Sequence, residues 1–578
     1  MESSVVKSNY YFLIAFAILN FVAVMLLLAA ITFLVGYHLT FWHFPVSLAG
    51  VFTLQYFAVK YFFPGDISKT MFRTGLVSLI LLLVCMILAG LVYDVSYDGQ
   101  QYHQEAMYQL KNGWNPVYRQ LPDSVNGSLW VNHYAKGAEI PEAVIYSFTN
   151  SIEMGKSTNM LLMIAAFFLS LSLLYRTPVK SFPGKILISA FLVLNPVAIN
   201  QLLTYYVDGQ LVCLLLCLFL CCCLLFYSTN RYYLVLFGAV IMTLINIKFT
   251  AVVFAGVFGL GILLILLYFK RFPDFFNVLK TSAIAGIVAV VVVGYNPFIK
   301  NTINHKHPFY PIMSSTGKPV ADIFSGNLPT GFFDKSMGEK FFISFFSHTD
   351  NIKAEKGKVP ALKIPFTLNA DDIKNAPKID TRIAGWGPFF SGIMILSLVL
   401  AVVMLYGRFK EPLTSKFLYI LAVLVASVLI IPESWWARYV PQLWFIPFLV
   451  IVVAHALKPG RLTRVLSFVI MAAIFFNIAF SAISIPWNIM KTAQINFQIR
   501  QMKSANAVIP VWWGSAQSNR VRFAEHHIPF RLYPKLGTKN VYKIIRSDSF
   551  FQLPADFKPL PEPFLVKWSN KIAGETED

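Results

Sequence analysis

The chain has 578 residues, 57% of them hydrophobic and 13% charged, with a formal net charge of +20. Its mean hydropathy of +0.61 excludes an ordinary soluble globular domain, because apolar runs near or above spanning length recur from end to end. The positive balance does not indicate nucleic acid: no RNA- or DNA-binding motif accompanies it, and its distribution has another cause.

In chain order, residues 1–93 hold the apolar runs Tyr11–Leu34, Trp42–Phe63 and Gly75–Val92, and 94–159 form a first long polar segment. Residues 160–296 hold Met160–Tyr175, Ile186–Ile199, Leu211–Tyr227, Tyr232–Ile247, Phe249–Phe269 and Ala283–Tyr295, before a second polar segment, 297–387. Residues 388–486 hold Pro388–Tyr406, Phe417–Ile431, Leu443–Ala456 and Leu466–Ile485, and 487–578 are a mixed tail. The expectation is an all-α polytopic membrane protein of about thirteen transmembrane helices, the shorter runs borrowing flanking residues to cross a core of ~30 Å. The first run is too long for a signal-peptide core and lacks a cleavage site, so it is expected to remain as an anchor. With the N-terminus inside, Lys and Arg concentrate in alternate short loops, among them Lys69 and Arg73, Arg176 with Lys180 and Lys185, and Lys458 with Arg461 and Arg464. This alternation sets orientation. It places 94–159, 297–387 and the tail outside the cytoplasm, the tail as a small folded cap.

All six cysteines lie in or at the ends of apolar runs, so no disulfide framework is expected outside. Cys213, Cys217 and Cys221 read better as small packing residues than as a metal site. Asn126-Gly127-Ser128 matches a glycosylation sequon, a pattern common by chance.

The most informative stretch is Tyr93-Asp94-Val95-Ser96-Tyr97-Asp98-Gly99-Gln100-Gln101-Tyr102-His103, which sets two acids and a histidine where an apolar run ends. Charges near hydrocarbon are costly, which makes them functional candidates. The acids share a helix face if the helix runs on that far. Gln104–Leu110 is amphipathic and is expected to lie flat on the membrane. Asp208 heads the sixth run, Lys248 splits the seventh from the eighth, and Arg438 stands beside Trp435 and Trp436. His305 and His307 sit in the second long segment, which closes at Asp380-Thr381-Arg382.

The strings YDGQQYH, GWNPVY, GYNPFIKN with HPFYP, and PESWWARYVPQ resemble segments of bacterial GT-C-type glycosyltransferases, membrane enzymes that take a sugar from a polyprenyl-phosphate carrier. The resemblance runs from about Gly75 to Ile485 and is weak for the tail. It implies a GT-C-like bundle in a bacterial cytoplasmic (inner) membrane, with an extracytoplasmic active site and an essential acid in the first external loop. The class usually has one helix before that loop, whereas three runs precede it here.

On this resemblance Asp98 is expected to be the general base toward an acceptor hydroxyl, with Asp94 second. Glycine after Asp98 leaves room for substrate, and Tyr102 or His103 orients the carboxylate. Lys248 and Arg438 are the expected phosphate ligands, with Arg382 in reserve. Asp208 is a helix-terminus acid or a second acidic group, orienting the acceptor or sharing a divalent ion (Mg or Mn) with Asp98; metal use stays open. His305 and His307 are candidates for substrate binding, though interfacial hydrogen bonding suits them better. The acceptor is a glycan, lipid or protein. Alternative readings are a polysaccharide polymerase or ligase using a lipid diphosphate, and a lipid transporter or flippase.

Overall fold

The structure is a computed structural model that describes residues 2–316, 320, 327–352, 358–458 and 460–574. Among these, eight helices are long and apolar enough to cross a membrane: Ser4–Leu34, Ile67–Gly90, Ile152–Leu174, Asp208–Tyr227, Thr250–Tyr268, Phe272–Val293, Pro412–Leu429 and Arg461–Ser504. Phe182–Val193, Arg231–Ile245, Phe390–Leu405 and Pro441–Leu457 are apolar but shorter, and His43–Phe62 carries Gln55 and Lys60 within 20 residues. The predicted runs overlap helices, but Ile186–Ile199 is split between Phe182–Val193 and Pro196–Gln201. The structure is that of an α-helical multi-pass membrane protein.

From Phe12 to Phe33, Ser4–Leu34 is apolar but for Asn20 and Thr32, which bond back to the helix's own carbonyls, and this suits a helix surrounded by others. It is the most buried of the eight, packed by Ser157–Leu174, His43–Phe62 and Arg231–Ile245. Ile67–Gly90 and Phe272–Val293 lie at the periphery, exposing residues such as Ile80, Ile87, Ile284 and Val291, as lipid-facing helices do.

Three helices precede Asp94, as the sequence indicates. The third stops at Gly90, and residues 93–96 are not helical. Asp94 and Asp98 therefore do not share a helix face. A π-helical turn, Gly99–His103, leads into helix Gln104–Lys111. This helix does not lie exposed on a surface. Gln104, Glu105, Ala106, Met107 and Leu110 are buried, and it packs on helix Glu139–Thr149.

The last long helix is interrupted at Ile483 and continues as Ser484–Ser504. Beyond it stands a small mixed sheet, a β element within an otherwise helical chain: β1 (Ile509–Trp512), β2 (Phe530–Leu532), β3 (Val541–Lys543) and β4 (Phe550–Gln552) in the order β2-β1-β4-β3. β1 is parallel to β2 and antiparallel to β4, and β3 and β4 form an antiparallel hairpin. Its core gathers Ile495 and Ile499 from the helix, Ile509, Trp513 and Phe551 from the tail, and Val95 from the first polar segment. The tail thus shares its core with the loop that carries Asp98.

Candidate functional site

A cavity of about 2020 Å³ opens where the first polar segment, the second polar segment, the tail and several membrane helices meet. Asp98, Tyr102, His103, Asp208, Lys248, Arg382 and Arg438 all line it. At its centre Asp208, the first residue of its helix, is fully buried and holds two cations. Lys248 Nζ lies 2.6 Å from one carboxylate oxygen and Arg438 Nε 3.0 Å from the other. Lys248 occupies this position because helix Arg231–Ile245 ends just before it and helix Thr250–Tyr268 begins just after. Arg438 also reaches Asp380 at 3.2 Å. Its guanidinium lies over the rings of Trp436 (4.9 Å), Tyr439 (5.6 Å) and Tyr206 (5.7 Å), while Lys248 lies over Tyr439 (4.5 Å). These faces attract cations in a desolvated setting.

Asp98 stands at the start of the π-helical turn, with the Tyr102 hydroxyl donating to its Oδ2 at 3.3 Å. Burial pushes its carboxyl above the usual range, and the nearby Arg438 pulls it back down. His103 is held by Glu139 at 2.8 Å, so Tyr102 is the residue that touches the carboxylate. Arg382 donates to Asn351 and Asn327, each at 2.7 Å, and lies over Trp436.

Asp94 is a different case. It is fully buried outside the cavity lining, where its carboxylate accepts from the Ser96 amide at 3.0 Å and from Gln104 at 3.1 Å. Burial first, then the neighbouring Glu153, raises its carboxyl to about 6. Its backbone is tied down as well: the Asp94 amide donates to Glu153 at 2.9 Å, and Arg522 donates to the Asp94 carbonyl. Asp94 shapes the loop; it does not face a substrate. Gly99 belongs to the same device. A Cβ there would stand 2.0 Å from Asp94 Oδ2 and 2.3 Å from Ser96 Oγ, so the glycine makes room for the loop's own carboxylate rather than for substrate.

His305 and His307 also lie outside the cavity lining. His305 stacks on Tyr310 at 3.7 Å and meets His133 edge-on at 4.8 Å, and His307 accepts from the Phe309 amide. A metal shared by Asp98 and Asp208 does not fit, because both Asp208 oxygens already face cations. Among the described residues no three His, Cys, Asp or Glu side chains converge to hold one.

Two features were not singled out from sequence. Asp380, two residues before Arg382, completes the cation cluster; its signal was only that it closes the second polar segment. Glu153, Lys156 and Arg522 form a buried network, with Lys156 on one Glu153 oxygen and Arg522 3.2 Å from the other. Its trace in the sequence is the pair Glu153 and Lys156, just before the apolar run that begins at Met160. Compared with protein-family models and with curated proteins, the chain matches none.

Proposed function

We propose that the protein is a GT-C-type glycosyltransferase of a bacterial cytoplasmic membrane, with about thirteen crossings. It transfers a sugar from a polyprenyl-phosphate carrier to a hydroxyl of an extracytoplasmic glycan, lipid or protein. The observation that carries the reading is that a carboxylate and two cations line one cavity whose flank is apolar. That flank includes Val253, Ile430, Ile431, Ile483 and Trp487, residues within or just beyond the helices Thr250–Tyr268, Pro412–Leu429 and Arg461–Ala482. A prenyl chain can lie against such a flank while its phosphate meets the cations.

In this mechanism the acceptor oxygen attacks the anomeric carbon of the bound sugar and gives its proton to Asp98. The bond from that carbon to the phosphate oxygen breaks, and polyprenyl phosphate leaves. A positioned general base contributes ~10²–10⁴-fold. Burial raises Asp98 toward working pH, and the Tyr102 hydroxyl fixes one of its oxygens. Arg438 and Lys248 take up the charge on the departing phosphate. The planar guanidinium offers paired donors, and Lys248 has three, of which Asp208 uses one. Asp208 keeps both cations in place, and no step passes through a metal.

The test is identification by mass spectrometry of lipid retained by the purified protein. Polyprenyl phosphate or its glycosylated form is expected. A lipid diphosphate would favour a polymerase or ligase, and phospholipid alone, with no binding of added polyprenyl phosphate, would contradict the reading.

A further inference from the structure

The cavity has a second wall that the reading above does not use. The turn between β3 and β4 brings Lys543, Ile544, Ile545, Arg546, Ser547 and Asp548 to its lining. Lys543 and Arg546 are both exposed, and neither lies within ion-pair distance of an acid among the described residues.

This turn is held from three directions. Gln498 on helix Ser484–Ser504 donates to the Lys543 carbonyl at 2.8 Å and accepts from the Ile545 amide at 3.2 Å. Asn519 donates to Ser547 at 2.8 Å and to Ser549 at 3.1 Å. Gln100, two residues beyond Asp98, donates to the Arg546 carbonyl at 2.9 Å. The hairpin tip is therefore joined to the turn that carries the base, on the side of the cavity built by polar segments rather than by membrane helices. Arg546 has φ of +56°, a region that glycine or asparagine enters more readily than arginine. Lys270 and Lys306 take similar φ values elsewhere, so what distinguishes Arg546 is its place on the cavity wall.

The charge of the surroundings matters as well. Of the other lining acids away from the Asp208 cluster, Asp350 and Asp371 are both engaged by Lys358, Glu433 accepts from Trp435, and Asp548 accepts from Ser515 at 2.5 Å. Lys374 and Lys378 also line the cavity. Lys543 and Arg546 thus add two cations to the lining, separate from the inner Lys248–Arg438 pair that Asp208 and Asp380 hold.

We infer that the β3–β4 turn is an acceptor subsite, in which Lys543 and Arg546 bind a phosphate group carried by the acceptor next to the hydroxyl presented to Asp98. The inference rests on the proposed glycosyltransferase reading, and it narrows the acceptor from any hydroxyl compound to a phosphorylated one. The phosphate sits on a lipid headgroup or on a soluble sugar; both offer the same chemistry to the two cations.

The experiment uses the full chain in nanodiscs, first saturated with decaprenyl phosphate so that the inner cations are occupied. Glucose 1-phosphate and lysophosphatidic acid are then titrated separately, with glucose as the uncharged control. Wild-type protein is expected to bind at least one of the two phosphates and not glucose. The K543Q/R546Q variant should lose that affinity at least tenfold while binding decaprenyl phosphate as wild type does, which also reports that it is folded. Preference for the lysolipid points to a lipid-borne acceptor, and preference for the sugar phosphate to a soluble one. If neither phosphate binds, or the variant binds both as tightly as wild type, the inference is overturned while the donor reading stands. If wild type fails to bind decaprenyl phosphate, the donor reading fails and the acceptor subsite falls with it.

Discussion

Asp208 carries two cations on one buried carboxylate, and this governs what single substitutions should do. Removing one partner of a buried ion pair strands the other charge, at a cost of about 3–5 kcal/mol. Asp208→Asn should therefore lower thermal stability markedly, and a melting temperature equal to wild type would mean that the pairing contributes nothing. Arg438→Gln and Lys248→Gln leave Asp208 one cation each. They should weaken decaprenyl-phosphate binding by the worth of a charged hydrogen bond, ~1.5–3 kcal/mol, and unchanged titrations for both would place the phosphate elsewhere. The two acids of the first polar segment should separate by pH. A base must be ionised, so the acidic limb of kcat/KM should lie above the ordinary carboxylate value, in the direction that burial moves Asp98. Asp94 is raised to about 6, so the folded protein holds that proton more tightly than the unfolded chain. Its contribution to stability then declines as pH rises from the ordinary carboxylate value to about 6, and is flat above. Melting curves of wild type and Asp94→Asn at pH 5 and 7.5 check the sign: the variant should gain relative to wild type at the higher pH, with transfer activity within a few-fold.

At the scale of elements, the π-helical turn Gly99–His103 positions Asp98, and its first residue has no room for a side chain. Asp94, bonded on both oxygens, cannot swing aside from a new Cβ. Gly99→Ala should cost about 1–3 kcal/mol through overpacking and depress turnover more than donor affinity. A variant with wild-type kcat would show that the turn tolerates the displacement. Sequence patterning located every long apolar helix here, because 18 or more predominantly apolar residues leave little choice. It also drew Asp98, Tyr102, Lys248 and Arg438 toward one site, because charges at helix ends near a bilayer are rarely idle. It misjudged what depends on contacts distant in sequence. The helix Gln104–Lys111 has the alternation of a surface helix, but its apolar side and Glu105 alike are covered, Glu105 by Arg520 at 2.7 Å. Asp94 and Asp98 are both acids at the end of an apolar run, and contacts distant in sequence, Glu153 on the Asp94 amide and Arg522, more than 400 residues on, at its carbonyl, fix Asp94 as part of the scaffold.

For the whole molecule, the alternation of basic loops predicts that the three polar segments share one side. Single cysteines at Asp123, Asp334 and Lys539, in a background lacking the native six, should react with an impermeant thiol reagent in intact spheroplasts, and one at Lys69 should not. Labelling of only some of the first three would break the orientation, since the cavity is built from all three segments. Their convergence on one cavity supports the proposed catalytic centre: Asp98, the proposed base, comes from the first, Asp380 and Arg382 from the second, and Lys543 and Arg546 from the tail. The most direct measurement is a single-turnover assay in nanodiscs with glycosyl decaprenyl phosphate and a membrane-extract acceptor, comparing wild type with Asp98→Asn. The substitution is nearly isosteric and removes the proton acceptor alone. The account predicts that turnover falls by ~10²-fold or more while donor affinity is kept; full transfer by Asp98→Asn, or no transfer by wild type with bound donor and supplied acceptor, would contradict it.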